Sequence, residues 1–224
     1  MAPKRLVLFC EGQGDEYSIP ILVDKFLAQL DPVRQHIFCD SEPLRIGGLT
    51  GLVNKGTAEH WVNMVKVAAK RKNVGAMLLL LDGDHDTKSF HTPQGHRSFC
   101  TAEFATLLAQ QAQAVGAGRD FSLAVVFARQ EYESWLIAGC PEFQARAPQS
   151  PAEIEQSKGA KGWIEKHRHS AYKPTRHQAE LTEQLNINAP LLNKLRSFTR
   201  FRDAISQLVQ AVRDNHPVCT PTPR

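Results

Sequence analysis

The chain has 224 residues and no apolar stretch approaching the roughly 20 residues that a membrane-spanning helix needs. The apolar run from Leu6 to Phe9 follows basic residues, but it is too short for a signal peptide and soon meets Glu11. These absences predict a cytoplasmic protein without a membrane partner.

Several common binding motifs are also lacking. The five cysteines are odd in number and never form Cys-x-x-Cys, which argues against a disulfide framework or a zinc knuckle. His91, His96 and Cys100 match no standard zinc-site spacing. The glycines between Gly47 and Gly56 precede no Gly-Lys-Ser/Thr, so they predict a flexible loop and not a phosphate-binding P-loop.

Charge is mild overall, at +4, but it is unevenly distributed. From Lys158 to Arg202 there are ten lysines and arginines and only three acidic residues. A basic rear segment behind an acidic front is typical of a metal site beside a phosphate-binding surface. Solvated helix faces would give the same composition, so charge alone does not separate the two interpretations.

The most informative stretch runs from Met77 to Asp84. Five consecutive apolar residues predict a strand that is buried on both faces, as in the middle of a parallel sheet. The strand is followed by Asp82-Gly83-Asp84, and the glycine permits a bend that turns both carboxylates towards one point. The motif fits either a solvated acidic turn or a site for a hard divalent cation.

Two further predicted strands also end at acidic residues. The strand Arg5–Cys10 is followed by Glu11 and then Asp15, and the strand Phe121–Phe127 is followed by Glu131 and Glu133. Acids at the start of a helix are also favoured by the helix dipole, which explains Asp15 better than Glu11. Because ligands bind at the carboxyl ends of strands in open α/β sheets, three such placements favour a shared cation site.

The alternation of strands and amphipathic helices predicts an α/β fold with a central parallel four-stranded sheet flanked by helices. The Pro-containing connection from 141 to 151 is the best candidate for a boundary. We therefore expect a catalytic α/β domain over residues 1–145, a helical C-terminal annex over 151–214 packed on it, and a flexible tail over 215–224.

The acidic motifs together resemble the Toprim domain of topoisomerases, bacterial primases and OLD (overcoming lysogenization defect) nucleases. Glu11-Gly with Asp15 is similar to the OLD-type version, and the resemblance implies a Toprim-like (Rossmann-like) sheet. Nearly the whole chain resembles a family of small stand-alone bacterial Toprim proteins. The segments that carry this likeness are Cys-Glu11-Gly, Leu-Asp82-Gly-Asp84, Glu131-Tyr-Glu133-Ser-Trp-Leu-Ile, Gly-Ala-Lys161-Gly-Trp-Ile, Tyr172-Lys-Pro-Thr-Arg-His-Gln178-Ala-Glu-Leu and Ser197-Phe-x-x-Phe201.

This resemblance implies a nuclease that hydrolyses DNA or RNA with one or two Mg²⁺ or Mn²⁺ ions. Glu11 would be a metal ligand or a general base, and Lys161 the catalytic lysine, with Lys158 and Lys173 as alternatives. The implied metal ligands are Asp82, Asp84, Glu131, Glu133 and Asp15. Gln130-Glu131 lacks the small hydroxyl residue that the OLD group carries two positions before its Glu, so Glu131 and Glu133 both stay open as the ligand.

The basic segment would hold the nucleic-acid backbone through Lys158, Lys173, Arg176 and Arg200. The resemblance further implies anti-phage defence with an ATPase encoded nearby, and a homodimer. The main alternative is a non-catalytic metal- or nucleotide-sensing module that docks on that ATPase. A phospho-accepting receiver domain would also place acids at strand ends, but the helical C-terminal third and the Glu131/Glu133 pair argue against it.

Overall fold

The computed structural model describes residues 2–54, 58–85, 88–92, 94–168 and 170–222. It shows a mixed α/β protein whose central parallel sheet is flanked by helices, which confirms the predicted fold class. The sheet has six strands and not the predicted four, because two strands of two residues each extend it. The strands are β1 (Lys4–Cys10), β2 (Ile37–Cys39), β3 (Leu44–Arg45), β4 (Val74–Asp82), β5 (Ser89–Thr92), β6 (Gly95–Ser98), β7 (Ser122–Ala128) and β8 (Cys219–Thr220).

Helices cover both faces of this sheet. They are α1 (Gln13–Leu30), α2 (Leu49–Val53), α3 (Ala58–Ala69), α4 (Thr101–Gln113), α5 (Glu133–Gly139), α6 (Pro151–Gln156), α7 (Ala160–His167), α8 (Pro174–Gln184) and α9 (Arg196–Arg213). Two short 3-10 turns lie at Pro141–Phe143 and Leu192–Lys194. No helix within the described ranges is long and apolar enough to cross a membrane.

The main sheet has the strand order β2-β1-β4-β7-β8, and β3 also pairs with β1. All its pairings are parallel. The chain leaves β1 for β2 on one side and later returns to form β4 on the other side. A topological switch point therefore lies between the carboxyl ends of β1 and β4, which is where open α/β sheets bind ligands.

Alternation along the strands divides the core into two layers. Leu6, Leu8 and Cys10 face the layer that holds α1, α5 and α7 to α9. Val7 and Phe9 face the other layer, which holds α2, α3 and α4. The C-terminal helices thus share one hydrophobic layer with α1, so the annex is packed directly beside the site end of the sheet.

The tryptophan that follows the third acidic segment anchors the annex. Trp135 is fully buried, and its ring packs on Phe198 and Phe201. Its indole N–H donates a 2.9 Å hydrogen bond to the hydroxyl of Ser197. A buried indole N–H needs such a partner, so this contact fixes α9 against α5.

Several local expectations differ from the structure. The glycine-rich stretch, predicted as a flexible loop, contains α2. The polar composition between His85 and Ser98 predicts a loop. The structure has the β5–β6 hairpin there, in which His91 pairs with His96. The apolar spacing between Leu191 and Val212 predicts a helix that begins at Leu191. In the structure α9 begins at Arg196, because a 3-10 turn precedes it. In the C-terminal tail, Cys219–Thr220 extends the sheet as β8. Thr57, which its residue type makes a candidate N-cap for a helix, lies outside the described residues.

Candidate functional site

Three strand ends meet at the switch point. Asp82 is the last residue of β4, Glu11 directly follows β1, and Glu131 comes three residues after β7. The strands are adjacent and parallel, so their carboxyl ends lie at one edge of the sheet. Four of the predicted acidic residues lie together at this edge: Glu11, Asp82, Glu131 and Glu133.

Asp82 connects all three strand ends. Its backbone N–H lies 3.3 Å from Oε2 of Glu11, to which it donates a hydrogen bond. Its Oδ1 accepts a 2.8 Å hydrogen bond from the backbone N–H of Tyr132. Burial, followed by the charges of nearby carboxylates, raises the pKa of Asp82 well above its usual range. A carboxylate in that position needs a proton or a cation to lower its free energy.

Gly83 holds the acidic turn against the end of β7. Its N–H donates a 2.8 Å hydrogen bond to the carbonyl of Gln130, a residue with a φ of 60°. A Cβ on Gly83 would lie 2.7 Å from the carbonyl oxygen of Ala128. Glycine is therefore required here by the close approach of two backbones, and not only by the bend that follows.

Lys161 comes from the annex and lies among the carboxylates. Its Nζ is 3.0 Å from Oε1 of Glu131, 3.8 Å from Oδ2 of Asp82 and 3.8 Å from Oε2 of Glu133. Burial alone would lower the pKa of Lys161, but the negative charges of these acids outweigh it and raise the pKa above its usual value. Gly159, with a φ of 81°, precedes α7 and lets the chain enter the helix whose first turn carries the lysine.

Glu131 and Glu133 differ in how their oxygens are used. Glu133 is buried, and its Oε1 accepts a 2.9 Å hydrogen bond from the hydroxyl of Tyr172. Burial raises the pKa of Glu133 to about 7, although Lys161 acts in the opposite direction. Glu131 contacts Lys161 through one oxygen, while its buried Oε2 has no hydrogen-bond partner within the described residues. Glu131 therefore has a buried oxygen whose hydrogen-bonding capacity the described residues do not use.

Glu11 lies at the edge of the same cluster. Burial raises its pKa to about 7, despite the hydrogen bond from the Asp82 amide. The loop after β3 approaches it closely, because a Cβ on Gly48 would lie 3.0 Å from its Oε1. A carboxyl group with a pKa near neutrality can both accept and release a proton at physiological pH.

The other two predicted acidic ligands border this cluster. Asp15 accepts hydrogen bonds from the Gly12 amide at 3.0 Å and from Nε2 of Gln178 at 2.8 Å. Its carboxylate therefore joins α1 to α8. Asp84 has a side chain that is 48% exposed and lies 3.2 Å from Nδ1 of His85. The bend after Gly83 thus places Asp84 towards solvent while Asp82 faces the cluster.

The predicted nucleic-acid contacts lie in separate places. Lys158 is exposed in the turn before α7. Lys173 and Arg176 line a small pocket at the start of α8. Arg200 lines a different groove, next to α4 and the outer edge of β7. The basic residues of the annex thus form several surfaces instead of one.

Two contacts with the acidic cluster could not be identified as such from sequence. Tyr172 holds Glu133 and Gln178 holds Asp15, and both residues come from the segment that begins α8. The only sequence signal was that both belong to the segment Tyr172-Lys-Pro-Thr-Arg-His-Gln178, which contributes to the family resemblance. Spacing alone gave them no chemical role.

The donor set suits a hard divalent cation. Carboxylate oxygens are the preferred protein ligands of Mg²⁺, and the unpaired Oε2 of Glu131 would gain a partner from such an ion. Within the described ranges, however, no three acidic, histidine or cysteine side chains are grouped closely enough to enclose a metal, and this includes His91, His96 and Cys100. The Lys161 ammonium holds the position between Asp82, Glu131 and Glu133.

Comparison with known proteins identifies the family. A family model described as a domain of unknown function, DUF4276, matches residues 10–206, so the chain belongs to that family. No curated protein matches the chain.

Two solved structures resemble it, both of the C-terminal region of the OLD protein of Xanthomonas campestris pv. campestris. One, phased with platinum, is 14% identical with a TM-score of 0.46 and covers 95% of each chain. The other, phased with iodine, is 12% identical with a TM-score of 0.42 and covers 95% of this chain and 98% of that one. At these scores the likeness does not carry an activity over to this chain.

Proposed function

We propose that this protein is a divalent-metal-dependent nuclease of the Toprim-like, OLD-like type, which hydrolyses phosphodiester bonds in DNA or RNA. The observation that carries the proposal is the cluster of Glu11, Asp82, Glu131 and Glu133 around Lys161 at the switch point of the sheet. The cluster has four buried or half-buried carboxyl groups and one lysine, whereas a structural ion pair needs only one carboxylate for each lysine.

The acidic residues have distinct roles in this proposal. Asp82 and Glu131 would hold a first Mg²⁺ or Mn²⁺, because each has an oxygen that faces the cluster. Asp84 would approach from its exposed position, and Glu133 or Asp15 would contribute to a second ion. Such an ion would supply Lewis-acid stabilisation of the phosphoryl oxygens and activation of water.

Glu11 and Lys161 would act on the reacting groups. Glu11, with a pKa of about 7, can take the proton from an attacking water. Lys161 keeps its charge because the surrounding acids raise its pKa, so it can stabilise the negative charge that develops on the phosphate. Its side chain is 43% exposed, which leaves the ammonium accessible to a substrate.

Lys158, Lys173, Arg176 and Arg200 would contact phosphates without reading sequence. We further propose that the protein acts in anti-phage defence with an ATPase partner, and that it forms a homodimer. These proposals rest on the order of the motifs along the chain, since the site geometry does not bear on them.

One observation favours a second function. Lys161 already neutralises part of the acidic cluster, and no preformed metal cage exists within the described residues. A module that binds a metal or a nucleotide only when it docks on the ATPase, without turnover, would use the same residues.

The test is cleavage of supercoiled DNA, linear DNA and tRNA by the purified chain with Mg²⁺, Mn²⁺ or EDTA. Asp82→Asn removes a central carboxylate, and Glu165→Gln makes the same change at an exposed position on α7. Cleavage that needs metal, is lost in Asp82→Asn and persists in Glu165→Gln supports the nuclease. Metal binding without cleavage of any substrate favours the second function.

A further inference from the structure

A second polar pocket lies at the start of α8, outside the acidic cluster. It has a volume of about 480 Å³, and its polar lining consists of Arg168, Ser170, Lys173, Arg176, His177 and Glu180. Three of these side chains are cationic and only one is acidic. The pocket is large enough for a phosphate group together with part of a nucleoside.

Arg168 forms the buried wall of this pocket. Its side chain is only 8% exposed, and its Nη1 has no hydrogen-bond partner within the described residues. Its remaining nitrogens lie 4.0 Å from Glu142 and 3.5 Å from Glu180. A guanidinium that is buried to this extent normally has its donors satisfied, so the unpaired Nη1 points to a missing acceptor.

The rim of the pocket also presents donors. The backbone N–H of Lys173 donates a 2.9 Å hydrogen bond to Nδ1 of His177, so that nitrogen is an acceptor and the ring proton resides on Nε2. Burial and the charge of Arg168 lower the pKa of His177, which favours this neutral form. The first turn of α8, which has 11 residues, adds the positive end of a helix dipole.

The pocket is adjacent to the acidic cluster along the chain and in space. Tyr172, directly before Lys173, donates its hydroxyl to Glu133. Gln178, directly after His177, donates to Asp15. The same first turns of α8 therefore contact the acidic cluster on one side and line the basic pocket on the other.

We propose that this pocket binds a phosphate monoester, either the terminal phosphate of a nucleic-acid strand or the phosphate of a free mononucleotide. A terminal phosphate carries a second negative charge and more free acceptor oxygens than an internal phosphodiester, which suits three cations, an imidazole N–H and a hydroxyl. A concave pocket also admits the end of a strand more easily than its middle. Only the strand-end source rests on the proposed nuclease function.

The experiment is calorimetric titration in EDTA, in the Asp82→Asn background, so that binding is measured without cleavage. The probes are inorganic phosphate, AMP and three forms of one oligonucleotide. The first form has a 5′-phosphate, the second has a 3′-phosphate and the third has neither. Lys173→Gln/Arg176→Gln removes two exposed cations from the pocket. Lys166→Gln/Lys194→Gln removes the same charge from exposed positions outside it.

We expect the pocket variant to bind inorganic phosphate at least about tenfold more weakly, and the control variant to match its parent. Arg168→Lys keeps the positive charge but loses the planar guanidinium, so it should also weaken phosphate binding. Its melting temperature is measured to check that the variant is folded. Preference for phosphorylated oligonucleotides identifies strand ends as the source, and binding of AMP alone identifies a nucleotide.

The inference is overturned if the parent binds neither phosphate nor AMP nor either phosphorylated oligonucleotide, or if the control variant loses as much affinity as the pocket variant. Its failure is separable from that of the proposed function. Cleavage by the wild-type chain without phosphate binding would refute the pocket alone, and phosphate binding without cleavage would refute the nuclease alone.

Discussion

The ammonium of Lys161 lies 3.0 Å from Oε1 of Glu131, although the two residues belong to different parts of the chain. Glu131 follows the last long strand of the sheet, and Lys161 is in the first turn of α7 in the annex. The contact closes the acidic cluster with a cation that the sheet does not supply. The annex is therefore part of the site, and changes in its packing should alter the site's chemistry.

Lys161→Gln should destabilise the metal-free protein, because Asp82, Glu131 and Glu133 would face one another without a cation. Because the lysine is about half exposed, the free energy of unfolding should fall by only about 1–2 kcal/mol, which corresponds to a few degrees in melting temperature. Saturating Mn²⁺ should raise the melting temperature more in the variant than in the wild type. Cleavage should fall by about 100-fold or more if the lysine stabilises the reacting phosphate.

The matched control for this lysine is Lys166→Gln, an exposed substitution on the same helix. It should leave melting temperature, metal response and cleavage near wild-type values. A Lys161→Gln protein that melts and cleaves like the wild type would contradict the role assigned to this lysine.

Gly83→Ala should disturb the acidic turn, because the new Cβ would lie 2.7 Å from the Ala128 carbonyl oxygen. Such overpacking costs about 1–3 kcal/mol and should displace Asp82 from the Tyr132 amide. Gly162→Ala on α7 is the control, since no atom lies within 4 Å of its added Cβ. In urea denaturation, the free energy of unfolding should fall for Gly83→Ala and should rise by about 0.5–1 kcal/mol for Gly162→Ala.

The stability of the metal-free protein should fall as pH rises through the range from about 4.5 to about 7. Burial raises the pKa of Glu11 and Glu133 from 4.5 to about 7, so the folded state keeps protons that the unfolded state has released. Stability is therefore fully present below the unfolded pKa and is lost as pH approaches the folded one. For the buried Glu133 the loss is on the order of 2 kcal/mol.

Glu133→Gln removes this titration and should flatten the dependence, whereas Glu165→Gln should not. Denaturant unfolding in EDTA across this pH range measures the slope. A slope that is unchanged by Glu133→Gln would show that Glu133 ionises normally in the folded state.

The sequence predicts the sheet and the acids at its edge because both depend on local patterns. A continuous apolar run such as Met77–Leu81 is typical of a buried strand, and acids that follow adjacent parallel strands lie at the same edge of the sheet. Strands β1, β4 and β7 and the α/β class are therefore confirmed.

What depends on tertiary packing could not be predicted. The two-residue strand β8 forms because β7 offers it an open edge, not through its own propensity. The outward position of Asp84 follows from the contact of Gly83 with the end of β7. The hydrogen bonds of Tyr172 and Gln178 likewise follow from the docking of α8 on α1.

The central claim is that the acidic cluster binds a divalent cation, and Mn²⁺ binding measured by electron paramagnetic resonance tests it most directly. The wild-type chain should bind one or two Mn²⁺ ions. Glu131→Gln should weaken the first by about tenfold or more, because it removes the oxygen without a partner, while Glu165→Gln should have no effect. No Mn²⁺ binding by the wild type, or equal binding by Glu131→Gln, would contradict the claim.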